Sequence, residues 1–185
     1  MRQSNAYHRS TPNSECLAYN RRQATSQCHS SQWTLAHAVV DDSLPWDRSI
    51  QLHIDAFLRR YTLHDSYWIA LHTNCGLDDT AVAAISFDPV WNPSVSTPTS
   101  HVADWPLLFI RFNSVNTIRM GGFSDIGGTQ RGISSVAVDH LSDEETVTTT
   151  FDHYDASLSL QHFTLINALA MTNDGGVLEL SAEVR

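Results

Sequence analysis

From Leu63 onward, apolar residues recur at every second position in short runs, and a chain patterned this way can bury its hydrophobic surface only as half-covered strands. Tyr67, Ile69 and Leu71 fall on one side while Trp68, Ala70 and His72 fall on the other. Ala83, Ile85 and Phe87 repeat the pattern, as do Val147, Thr149 and Phe151. The last run places Leu178, Leu180, Ala182 and Val184 inward and Glu179, Ser181 and Glu183 outward, after turn chemistry at Asp174-Gly175-Gly176. Leu107 to Phe112 is apolar almost without interruption, the signature of a central strand covered on both faces. Asn113-Ser114 reads as a hairpin turn into Val115 to Met120, and Ile133 to Val138 as a further strand. Leu158 and Leu160 share one parity and Phe163 and Leu165 the other, which predicts a β-bulge near Gln161-His162.

Before this region the period differs. Ile50, Ile54, Phe57, Leu58 and Tyr61 lie on one face of a helix, with Asp47 or Ser43 as N-cap and Asp55–Arg59 as a supporting pair. The expected fold class is therefore α+β: a mostly antiparallel β sheet, arranged as a meander, sandwich or half-barrel, with one N-terminal amphipathic helix packed on it. Residues 1–40 are rich in Ser, Asn, Gln, Thr and Arg and lack either period, so they are expected to form a poorly ordered tail. Residues 41–185 then form a single domain.

Composition narrows the partners. Residues 1–50 carry five arginines against four acids, a net +1, whereas residues 51–185 carry six against sixteen, a net −10. A domain this acidic repels phosphate backbones and speeds encounter with a basic protein, so no nucleic-acid partner is expected. No apolar run has the length of a membrane helix and the first residues lack a signal peptide's apolar stretch, which points to a cytoplasmic location without membrane contact. Cys16, Cys28 and Cys75 are odd in number and read as free thiols.

The most distinctive segment is Leu63-His64-Asp65-Ser66-Tyr67-Trp68, between helix and first strand. His64, Asp65 and Trp68 are the candidate residues. An Asp beside a His could orient an imidazole for acid–base work, but neighbours in an extended chain diverge. The structural alternative has Asp65 or Ser66 accepting backbone N–H groups while His64 anchors the helix end. No catalytic residue is assigned. The ten histidines contain none of the spacings that mark a metal site, so no metal or cofactor is expected, although His72, His140 and His153 could meet across strands. The glycine-dense segment Gly121 to Gly128 reads as a loop: the chain has no Lys to make it a phosphate cradle. Trp91 and Trp105 flank a Ser/Thr/Pro loop and either staple it to the core or line a groove. Asp143-Glu144-Glu145 reads as a solvated turn.

The order helix, Leu63-His64-Asp65-small, then antiparallel strands resembles small bacterial immunity proteins of polymorphic toxin systems and related uncharacterised families. Leu107-Leu108-Phe109-Ile110-Arg111-Phe112 with Val115 to Phe123 resembles their apolar strand pair leading to a Gly-Phe, whereas Tyr67-Trp68 departs from their usual continuation. The resemblance implies a non-enzymatic protein that binds and neutralises a partner, here by presenting an acidic surface. The alternatives are a metal-assisted hydrolase using His64, Asp65 and sheet histidines, and a small-ligand binder in a half-barrel.

Overall fold

The computed structural model describes residues 43–74, 79–99, 101–121, 132–143, 145–153 and 156–181. Expectations about the tail 1–40, the three cysteines, the loop 122–131, Glu144 and residues 182–184 lie outside the described residues. The strands are β1 (Ile50–His53), β2 (Tyr67–Asn74), β3 (Thr80–Ser86), β4 (Leu107–Phe112), β5 (Thr117–Gly121), β6 (Ser135–His140), β7 (Thr146–His153), β8 (Ala156–Phe163), β9 (Leu165–Met171) and β10 (Val177–Leu178), with helix α1 at Ile54–Arg60. All the strand pairs are antiparallel. They form a six-stranded sheet in the order β1-β9-β4-β3-β2, with β10 also pairing β9, and a four-stranded sheet in the order β5-β8-β7-β6. The two sheets make a sandwich rather than a closed barrel.

Alternation explains the core. Ala83, Ile85 and Phe87 of the β3 run and Leu108, Ile110 and Phe112 of β4 meet Val147, Phe151, Leu158 and Leu160 of the second sheet in one buried cluster. The opposite parity of the first sheet, including Val82, Ala84, Leu107, Phe109 and Leu169, forms a second cluster with Leu44 and Trp46. Arg111 lies over the Trp46 ring at 4.2 Å and completes that cover with a cation–π contact. β4 thus sits mid-sheet with both faces buried, as its continuous apolar run requires.

The sheets are joined by one bent ribbon. Phe112 pairs Ile166, and five residues further along each strand, in opposite senses, Thr117 pairs Gln161, so the register passes from β4/β9 to β5/β8 without a slip. The bend is held by Asn113, whose carbonyl accepts the Phe163 N–H at 2.9 Å and whose side-chain amide donates to the Leu165 carbonyl at 3.1 Å. Ser114 takes a left-handed φ of 51° there. Asn113-Ser114 is therefore a corner between sheets and not a hairpin turn.

Three further expectations are corrected. The helix does not begin at residue 50: Ile50–His53 is β1, paired to β9, and only Ile54–Arg60 is helical. The edge of β9 offers backbone partners to this segment, and Leu52, which belongs to no helical stripe, is buried by the strand's alternation. The residue before the helix, His53, makes no side-chain cap, and Asp55 pairs His140 at 3.0 Å, tying α1 to the edge strand β6. The helical residues Ile54 and Phe57, followed by Tyr61, do enter the core between the sheets.

Next, no bulge interrupts β8. Ala156, Leu158, Leu160, His162, Thr164, Ile166, Ala168 and Ala170 are all buried with one parity, while Phe163 and Leu165 are 44% and 40% exposed. The irregularity lies instead in β2, between Trp68 and Ala70, and it puts Trp68 and Leu71 on the same inner side, against the expected pairing of Leu71 with Tyr67 and Ile69. Last, β10 is two residues long. Beyond it Leu180 is buried as expected, but the segment is held by the Tyr61 hydroxyl, which accepts the Ser181 N–H at 2.9 Å, rather than by a ladder.

Candidate functional site

Leu63 ends the helix-to-strand connection with its side chain buried, and the chain must then reverse into β2. It does so through Asp65 at φ 60°, a conformation that Asp tolerates better than most residues. The Ser66 N–H returns to the Leu63 carbonyl at 3.0 Å. Asp65 N–H donates to Ile133 O at 3.0 Å, and Ile133 N–H to Ser66 O at 2.7 Å. The backbone at the turn is thus pinned to the segment preceding β6.

This left-handed step brings His64 and Asp65 together instead of letting them diverge: His64 Nε2 lies 3.5 Å from Asp65 Oδ2. The His64 Nδ1–H donates to the Ser134 carbonyl at 2.9 Å. Asp65 Oδ2 accepts the Trp91 indole N–H at 3.2 Å, and the His64 ring meets Trp91 edge-on at 5.5 Å. It is Ser66, not Asp65, whose side chain accepts a backbone donor, the Asp88 N–H at 3.0 Å. His64 does not anchor the helix, which ends at Arg60.

The loop that carries Trp91 is fixed from below. Asn92 is buried and uses its whole amide: Oδ1 accepts the Thr62 N–H at 3.1 Å, and Nδ2 donates to Thr62 O at 2.8 Å and Asp88 O at 2.9 Å. Asp88 Oδ1 accepts the Val90 N–H at 2.7 Å. Burial pushes the Asp88 carboxyl above the ordinary carboxylate range; the Val90 hydrogen bond works against that shift and nearby Asp65 adds to it. Above this frame Val90 and Trp91 are 56% and 51% exposed.

Of the residues singled out from sequence, His64 and Asp65 come together and Trp68 does not join them. Trp68 turns into the sandwich, edge-on to Phe151 at 5.1 Å. Trp105 is the loop staple, buried, stacked on Tyr67 at 5.5 Å and donating its indole N–H to Thr99 O at 3.0 Å. Trp91 is the missed partner of the His-Asp turn; Pro89 and Pro93 around it marked a loop, but nothing in the sequence placed that loop over residue 65. Among the described residues no group of three His, Cys, Asp or Glu side chains could hold a metal ion, and His72, His140 and His153 do not form one. Nor, among the described residues, is any helix long and apolar enough to cross a membrane. Comparison with protein-family models, curated proteins and solved structures finds no significant match to this chain.

Proposed function

We propose that this chain is a non-enzymatic binding protein of the immunity type, and that it grips a protein partner with the Val90–Trp91 loop and the Asp65 carboxylate beside it. The observation that carries this reading is the half-exposed Trp91 held in one orientation. A large aromatic is normally kept mostly inside, and one fixed at the surface loses little conformational freedom when a partner covers it. The indole N–H is already spent on Asp65, so Trp91 offers its apolar surface, while Asp65 is left with lone pairs for a basic group. The net charge of −9 favours a basic partner in the same sense. The His64-Asp65 pair suits a binding role better than acid–base work. With Nδ1–H committed to Ser134 O, the imidazole has no N–H for Asp65 to orient unless it is protonated.

The test is affinity capture with wild type, Trp91→Ala and Asp65→Asn as baits, each first shown to melt normally. A single basic protein held by wild type should lose roughly 2 kcal/mol or more of binding with Trp91→Ala. Asp65→Asn keeps an acceptor for the indole but should weaken the salt dependence of binding. Equal retention by Trp91→Ala, or no partner at all for wild type, overturns the proposal.

A further inference from the structure

The outward face of the four-stranded sheet is built in rows across the strands. One row runs Arg119, Ser159, Thr150 and Ala137, and the next runs Thr117, Gln161, Thr148 and Asp139. A third ends at Leu141, which pairs back to Thr146 across the β6–β7 turn. Both Asp143 carboxylate oxygens accept from Thr146 there, one from its N–H at 2.9 Å and one from its hydroxyl at 2.7 Å. Between these rows lies an open groove of about 290 Å³, lined by Thr117, Arg119, Leu141, Thr148, Ser159 and Gln161.

The polar groups around this groove are largely unspent. Ser159 shares a hydrogen bond with Thr150 at 3.0 Å. The Thr117 and Thr148 hydroxyls, the Gln161 amide and the Arg119 guanidinium bond to no side chain or backbone group among the described residues. Five residues able to donate, one of them a permanent cation, therefore line the groove together with the apolar side chain of Leu141. A ligand matching this set carries one carboxylate, several hydroxyls and a C–H-rich face.

We infer that the groove binds a small polyhydroxylated carboxylic acid, of the size and kind of a sugar acid. Its carboxylate is held by Arg119 in a forked pair. Its hydroxyls are read by Thr117, Thr148, Ser159 and Gln161, and its ring face rests on Leu141. The volume lies just under the usual range for ligand sites and matches a single ring. This site is on a different face-forming set of strands from the Trp91 loop, and it does not depend on the partner-binding reading.

Titration calorimetry of the full chain with D-glucuronate, D-glucose and inorganic phosphate tests it. Saturable binding of glucuronate is expected, weaker by about tenfold or more in Arg119→Gln, as for loss of a charge-assisted pair. Thr148→Val, which keeps the strand's shape, should also weaken it, and both variants should melt like wild type. Glucose should bind far more weakly for want of the carboxylate, and phosphate for want of the hydroxyls. Four results would overturn the inference: no saturable glucuronate binding, binding unchanged in both variants, glucose binding as well as the acid, or phosphate binding as well as the acid.

Discussion

His162 stands on the inner face of β8, its Nδ1–H donating to the Phe163 carbonyl at 2.5 Å and its Nε2 accepting from the Thr149 hydroxyl at 2.8 Å. The edge contact with Phe112 at 4.7 Å completes an apolar surround, and burial lowers its pKa from 6.5 to about 4. Above pH 6.5 the imidazole is neutral in both folded and unfolded chains and costs nothing. As pH falls from 6.5 to 4 only the unfolded chain takes the proton, so stability should drop by at most roughly 3 kcal/mol. Asp88, with its carboxyl raised by burial, contributes the opposite slope. Asp143 and Asp174, lowered chiefly by the Thr146 and Thr172 hydroxyls, titrate below this window. Urea unfolding of wild type and His162→Asn from pH 4 to 7 separates the histidine, since the aspartates are common to both. The variant should lose most of the slope, and an unchanged slope would contradict the assignment. A second residue makes a simpler case. The Ser86 hydroxyl is buried without a hydrogen-bond partner among the described residues, so Ser86→Ala should be neutral or stabilising by up to about 2 kcal/mol. A destabilised variant would mean that the hydroxyl has a partner after all.

Elements show where pattern reading succeeded and where it was misled. β3, β4 and β7 lie where the sequence pattern put them: β3 by the alternation of small and apolar inward residues, β4 by its unbroken apolar run, and β7 by Val147 and Phe151 on either side of the inward Thr149. β8 and β9 break the expected parity because polar His162 and Thr164 face inward while apolar Phe163 and Leu165 face out. Polarity tracks burial only when a buried polar group has no partner, and here His162 has Thr149. Thr164 is held inward by its backbone: its carbonyl accepts the Ile54 N–H at 2.9 Å and its N–H donates to Glu145 O at 2.8 Å. The corrected parity makes a sharp prediction. Leu160→Ala should cost about 2–5 kcal/mol, as core leucines do, whereas Phe163→Ser should change stability by less than about 1 kcal/mol. Chemical denaturation of the two variants decides it; comparable losses would restore the bulge. β1 departs from the helical pattern because β9 lies alongside it: Ile50 and Ile54 are four apart, which suits a helix, and no local signal reveals the neighbouring strand.

At the scale of the molecule, the bent ribbon of β4–β5 against β8–β9 makes the inner β4/β9 pair of the first sheet continuous with the β5/β8 pair at one side of the second. The core between the sheets is also shared, so neither sheet can open without exposing the other. Unfolding should accordingly be a single cooperative event. Native-state hydrogen exchange should give the Ile110 and Phe151 amides, one from each sheet, the same limiting free energy, and Leu160→Ala should lower both equally. A fall confined to the β7–β8 amides would show two independent units.

The sequence by itself determined that this chain is mostly antiparallel strand, which segment is the doubly buried β4, and that Leu63-His64-Asp65-Ser66 turns the chain into the first long strand. Those are local matters, set by alternation, apolar continuity and the backbone tolerance of Asp. The tertiary structure alone decided the sandwich, the short helix, the length of β10 and the membership of the candidate site. Trp91 reaches Asp65 across 26 positions because Asn92 ties its loop to Thr62, and Ser134 reaches His64 across 70 because Ile133 pairs the turn. Contacts of that span leave no periodic trace, since each depends on where the sheets carry the two segments and not on what lies next to either.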